Sequence, residues 1–131
     1  MNIVKSENIS PFDVDGTLIM HVDLKDIPVI DRVGVYDAVT KKFIFVQINR
    51  PMVRLLREAS HRGDYVIVWS RGGYEWASNV IKALGLVDDV DQVMSKPLAY
   101  FDDTAVEKWL PYRVMLDSNA VYKQTTNKGK K

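Results

Sequence analysis

"RPMVRLLREASHRGDYVIVWSRGGYEWASNVIKALG", residues 50–85, reads as helix, strand, helix, and that order decides the fold class. Pro51 suits a first helical turn, and Met52, Val53, Leu55, Leu56 and Ala59 recur at helical spacing before Gly63 ends the run. "DYVIVWS" (64–70) is too short for a helix, rich in β-branched and aromatic residues, and predicts a buried strand. Trp76, Ala77, Val80, Ile81 and Leu84 then form one helical stripe closed by Gly85. A strand set between two amphipathic helices is the repeating unit of a parallel α/β sheet.

Outward from this stretch the pattern continues. "NISPFDVDGTLI" (8–19) carries an earlier strand, and "DQVMS" (91–95), "LAYFDD" (98–103) and "YRVMLD" (112–117) are later strand candidates, with a short helix in "DTAVEKWL" (103–110) capped by Asp or Thr. The expected architecture is α/β, a doubly wound Rossmann-like parallel sheet covered on both faces. "VGVYDAVTKKFIFVQI" (33–48) holds two β runs around a polar turn, so a hairpin flap at about 30–48 is expected after the first strand. One domain over residues 1–122 and a disordered basic tail over 123–131 complete the expected organisation.

Composition narrows the function classes. A chain of 131 residues, 47% hydrophobic and 27% charged, can bury a core without staples, and its net charge of +1 selects neither nucleic acid nor membrane. With no cysteine there is no disulfide, thiolate zinc site or thiol catalysis. Neither a signal-peptide core nor a run of about 20 apolar residues is seen, so a cytoplasmic enzyme or binding domain without a membrane partner is the expectation.

In such sheets ligands bind at the carboxyl ends of the strands. The polar residues that end the runs are Asp13 and Asp15, Ser70, Ser95–Lys96, and Asp102–Asp103, all at that edge if the strands are parallel. At i and i+2 of a strand, Asp13 and Asp15 are expected to project together from the strand tip, and like charges so close repel unless something offsets them. Asp-x-Asp-Gly-Thr arises by chance in about one chain of this length in a thousand at average residue frequencies, so it is specific. Pro11, two residues earlier, is awkward for a central strand and implies a strand start or a bulge.

With "DVDGTL" (13–18), Ser70 after "VIVW", Lys96 in "SKP", and Asp102–Asp103 in "AYFDD", the chain resembles the haloacid dehalogenase superfamily of phosphotransferases over about residues 9–117. The stretch at 48–73 is also similar to small phage-type members and to the phosphatase half of polynucleotide kinase–phosphatases, although no Gly-rich kinase motif is present. The resemblance implies a Mg²⁺-dependent phosphomonoester hydrolase. Asp13 would be the nucleophile and carry an aspartyl-phosphate, and Asp15, with a raised pKa, would be the general acid and then base. Asp13, the Asp15 main chain and Asp102 would hold Mg²⁺, and Asp103 would support them. Ser70 and Lys96 would bind phosphate together with Gly16 and Thr17, which also suit the sharp departure from the strand, and Arg71 would reach it or sit in solvent. Four aspartates, one lysine and a phosphate of about −1.5 to −2 leave a charge excess that a divalent cation would offset.

Plainer readings stand beside these: turn capping for the aspartates, a helix-start residue for Ser70, a surface lysine for Lys96, and a structural Asp117. His21 and His61 show no ligand spacing, and Trp69 and Trp76 read as core. A hairpin flap without a larger cap leaves the site open, which suits a nucleotide or nucleic-acid phosphate end, with a sugar phosphate or other small metabolite as the alternative. A signalling receiver is the wrong motif order, and an inactive binding module would not need all four elements.

Overall fold

The computed structural model describes residues 8–110, 112–116 and 123–126. The chain divides into two compact units, Met1–Lys96 and Pro97–Lys131, where the sequence suggests one domain through residue 122. The division falls between Lys96 and Pro97, one residue past a strand that ends at Ser95, and a proline cannot donate to a ladder.

The first unit is α/β, with a three-stranded parallel sheet. Strands β1 (Ile9–Asp13), β5 (Tyr65–Ser70) and β6 (Gln92–Ser95) lie in the order β1-β5-β6, helix α1 (Arg50–His61) leads into β5, and helix α2 (Tyr74–Ala83) joins β5 to β6. Helix α1 buries Met52, Val53, Leu56 and Ala59, the face its spacing predicts, and Gly63 ends it at φ +94°. Helix α2 buries Ala77, Val80 and Ile81. Strand β5 buries Val66, Val68 and Ser70, while Tyr65, Ile67 and Trp69 are half-buried, so its two faces are not equally covered as the apolar run implies.

Pro11 lies within β1, opposite Ile67. The Asn8 carbonyl accepts from the Tyr65 N–H, so the period-2 alternation turns residues 8, 10 and 12 towards β5 and residues 9, 11 and 13 away from it. The N–H that proline lacks is therefore not one that the β5 ladder needs, and no bulge is required.

The flap is present. Strands β3 (Arg32–Asp37) and β4 (Lys42–Ile48) pair antiparallel, and β2 (Ile19–Met20) adds to β4, giving the order β2-β4-β3. Asp37 builds the turn: its carboxylate accepts from the Val39 N–H at 3.1 Å and the Thr40 hydroxyl at 2.9 Å. The hairpin rests on α2, where the Asn79 side-chain amide donates to the Tyr36 carbonyl at 3.0 Å.

The second unit corrects three sequence expectations. "LAYFDD" is not a strand: Leu98 and Phe101 are 98% and 96% exposed, and Asp102 folds the backbone into a local turn by accepting from the Thr104 N–H at 2.9 Å. Helix α3 is only Val106–Trp109, with no side-chain cap. Strand β7 (Tyr112–Met115) pairs antiparallel with β8 (Lys123–Thr126), so residues 123–126 of the expected tail are a strand, as the β-branched Thr125 and Thr126 favour. Asp117 lies outside the described residues.

Candidate active site

Strand β1 stops at Asp13, and residues 14–18 turn. The Val14 carbonyl accepts from the N–H groups of Thr17, Leu18 and Ile19 at 2.9–3.2 Å, and Val14, Leu18 and Ile19 are fully buried. Those three side chains anchor the loop while Gly16, at φ +79°, makes the reversal that other residues resist. Asp15 therefore sits in a turn, not in the pleat, and the simple i, i+2 argument for two parallel carboxylates fails. The two acids have different partners instead.

Asp13 faces Lys96, whose Nζ is 3.7 Å from Oδ1, and accepts from the Thr17 hydroxyl at 3.3 Å on Oδ2. Lys96 is held there because its own N–H donates to the Ser70 carbonyl at 2.9 Å, one step beyond the Ser70–Ser95 register pair. Asp13, Ser70 and Lys96 thus share the carboxyl edge of the parallel sheet.

Asp15 is held on its other side by residues that the sequence pattern does not single out. Trp76 Nε1 donates to Oδ1 at 3.0 Å and to Oδ2 at 3.3 Å, and His21 Nε2 lies 2.7 Å from Oδ1. The His21 and Trp76 rings stack, with centroids 6.4 Å apart. The Ser70 hydroxyl is fully buried, accepts from the Gly72 N–H at 2.9 Å and donates to Asp15 Oδ2 at 3.4 Å. Oδ1 takes the short bonds, and Oδ2 only the longer ones from Ser70 and Trp76. Gly72 is needed for close approach: a Cβ there would lie 3.2 Å from both Ser70 Oγ and Trp76 Cδ1.

Asn49 supports the loop from outside the motifs. It is buried, its side-chain amide donates to the Thr17 carbonyl at 2.9 Å, and its N–H donates to the Leu18 carbonyl at 3.0 Å. Arg71 is exposed and makes no hydrogen bond or ion pair among the described residues, which leaves its phosphate role without a structural argument. His61, exposed at the end of α1, lies 3.9 Å from Asp89.

Beside Asp15 opens a cleft of about 360 Å³, lined by the flap tip (Asp37, Ala38, Val39), Ile44, His21 and the start of α2 (Gly72, Glu75, Trp76). No protein-family model, curated protein or solved structure matches the chain.

Asp102 and Asp103 belong to the second unit. Hydrogen bonds from the Thr104 hydroxyl and with Asp102 hold the Asp103 carboxyl below the usual aspartate range, so it is charged at neutral pH. Among the described residues no three or more His, Cys, Asp or Glu side chains are gathered as a metal centre. Within the first unit, the donors the resemblance assigns are the Asp13 carboxylate and the Asp15 main-chain carbonyl. These are hard oxygens, the kind Mg²⁺ takes when substrate oxygens and water complete its shell. Among the described residues no helix is long and apolar enough to cross a membrane.

Proposed function

We propose that the protein is a phosphomonoester hydrolase that works through an aspartyl-phosphate on Asp13, with Mg²⁺ as cofactor. The same reading makes the parallel sheet part of a doubly wound Rossmann-like domain of the haloacid dehalogenase type. The observation that carries it is the gathering of Asp13, Asp15, Ser70 and Lys96, from three separate parts of the chain, at one sheet edge with distinct partners for the two acids.

An Asp13 oxygen attacks phosphorus, and the bond from phosphorus to the leaving oxygen breaks. Asp15 gives its proton to that oxygen, and His21 and Trp76 keep its carboxylate turned for the transfer. Water then attacks the aspartyl-phosphate, Asp15 takes the proton back, and inorganic phosphate leaves with Asp13 restored. Lys96 offsets negative charge beside the nucleophile, and the Ser70 hydroxyl, whose bond to Asp15 Oδ2 is long at 3.4 Å, would turn from Asp15 to donate to a phosphate oxygen. When bound, Mg²⁺ supplies charge that lets an anionic phosphate approach an anionic carboxylate, with Asp102 as the further donor that the resemblance assigns.

The test is Mg²⁺-dependent, repeated release of phosphate from an aryl phosphate. Asp13→Asn is expected to abolish it with the fold intact, and Asp15→Asn to slow it by about 10²–10⁴-fold, the usual worth of a general acid. Uptake of a single phosphate without turnover would identify a receiver, and no reaction at all a binding module.

A further inference from the structure

We infer that the leaving group this enzyme accepts is a small alcohol with an apolar or aromatic body and no negative charge of its own, an ammonium-bearing alcohol being best. The inference rests on the proposed phosphatase reading and names its substrate class.

An acid that protonates the leaving oxygen must touch it, so the leaving group occupies the space onto which Asp15 opens. That space is the cleft of about 360 Å³ under the flap, near the lower end of the size range for small-molecule sites. Its chemistry is one-sided. Trp76, His21, Ala38, Val39 and Ile44 give it apolar and aromatic walls, Asp37 and Glu75 add two carboxylates beside Asp15, and no lysine or arginine lines it. Asp37 spends its oxygens on the hairpin turn, but Glu75, on the first turn of α2, has no hydrogen bond or ion pair among the described residues. A cation in the cleft meets that carboxylate and the aromatic wall that Trp76 and His21 form. An anion meets the carboxylates of Asp15, Asp37 and Glu75, while the one basic side chain in the lining, His21, is already turned to Asp15 at 2.7 Å, and a polynucleotide end would bring further phosphates into the same acidic space. The cleft therefore disfavours the nucleic-acid end that an open site suggests from sequence.

The experiment uses three esters with the same ring and the same two-carbon para spacer: the phosphates of 4-ethylphenol, of tyramine and of 3-(4-hydroxyphenyl)propionate. They carry a neutral, a cationic and an anionic tail on phenols of similar acidity. The full-length protein with Mg²⁺ is expected to rank them tyramine, ethylphenol, propionate in kcat/KM, with about tenfold between the extremes for a partly screened charge pair. Glu75→Lys is expected to bring that ratio to one or invert it, and 3′- or 5′-phosphorylated oligonucleotides to fall below the tyramine ester. Turnover of all three esters without a charge order, or oligonucleotides as the best substrates, would overturn the inference and leave the phosphatase reading standing. An unchanged ratio in Glu75→Lys would likewise overturn it. No turnover of any ester would sink the phosphatase reading and this one with it.

Discussion

Trp76 shows what a single side chain can do that its pattern does not announce. It lies on a helical stripe with Ala77, Val80 and Ile81, and an indole there counts as apolar. Yet its one polar atom is spent on Asp15, at 3.0 Å and 3.3 Å to the two oxygens. An indole is an apolar body with a directional N–H, and periodicity registers only the body. His21 was illegible for a related reason: no spacing rule links it to Asp15, six residues earlier, until the turn at 14–18 brings the two together. Asp13, Asp15, Ser70 and Lys96 were legible because a motif order marks them. Trp76→Phe keeps an aromatic ring, smaller than the indole, on this half-buried site and removes the donor. It is expected to leave the melting temperature nearly unchanged and to lower kcat/KM by about tenfold, the cost of about one charge-assisted hydrogen bond. A fall in melting temperature with kcat/KM intact would make Trp76 a packing residue after all.

At the scale of elements, helices α1 and α2 were readable from their helical period, strands β5 and β6 from short apolar runs, and the flap hairpin from two β runs around a polar turn. Two failures have physical causes. "LAYFDD" has the composition of a strand, but Pro97 precedes it and Asp102 closes an Asx turn, so local hydrogen bonding wins over apolar content. The strand β8 has no hydrophobic alternation to find, since its sequence is Lys-Gln-Thr-Thr and its partner β7 supplies the ladder. The loop at 14–18 depends on an element as much as on itself, because Asn49, at the start of α1, holds the Thr17 and Leu18 carbonyls. Asn49→Ala strands the Thr17 carbonyl and is expected to cost about 1–3 kcal/mol in urea unfolding. If the loop is what positions Asp13 and Asp15, the same variant also loses kcat, assayed where it remains folded. Stability lost without kcat would separate the packing role of this asparagine from positioning.

For the whole molecule, the proposed phosphatase reading turns on which carboxylates would serve Mg²⁺. The first unit supplies Asp13, with Lys96 3.7 Å from it, while the acidic pair that the resemblance adds lies in the second unit. There Asp102 has a local task, since its carboxylate accepts the Thr104 N–H. A turn cap and a metal donor make different demands on this side chain. The cap needs an oxygen acceptor, which an amide also provides, whereas Mg²⁺ favours the charge. Asp102→Asn therefore keeps the turn and removes the charge. The expected outcome is an unchanged melting temperature and a Mg²⁺ concentration for half-maximal phosphate release raised by about tenfold or more, on the scale that lost ligand-shell groups cost. Were the Mg²⁺ dependence to stay where it was, Asp102 would be a turn residue only, and the metal would rest on Asp13, the Asp15 carbonyl, substrate and water.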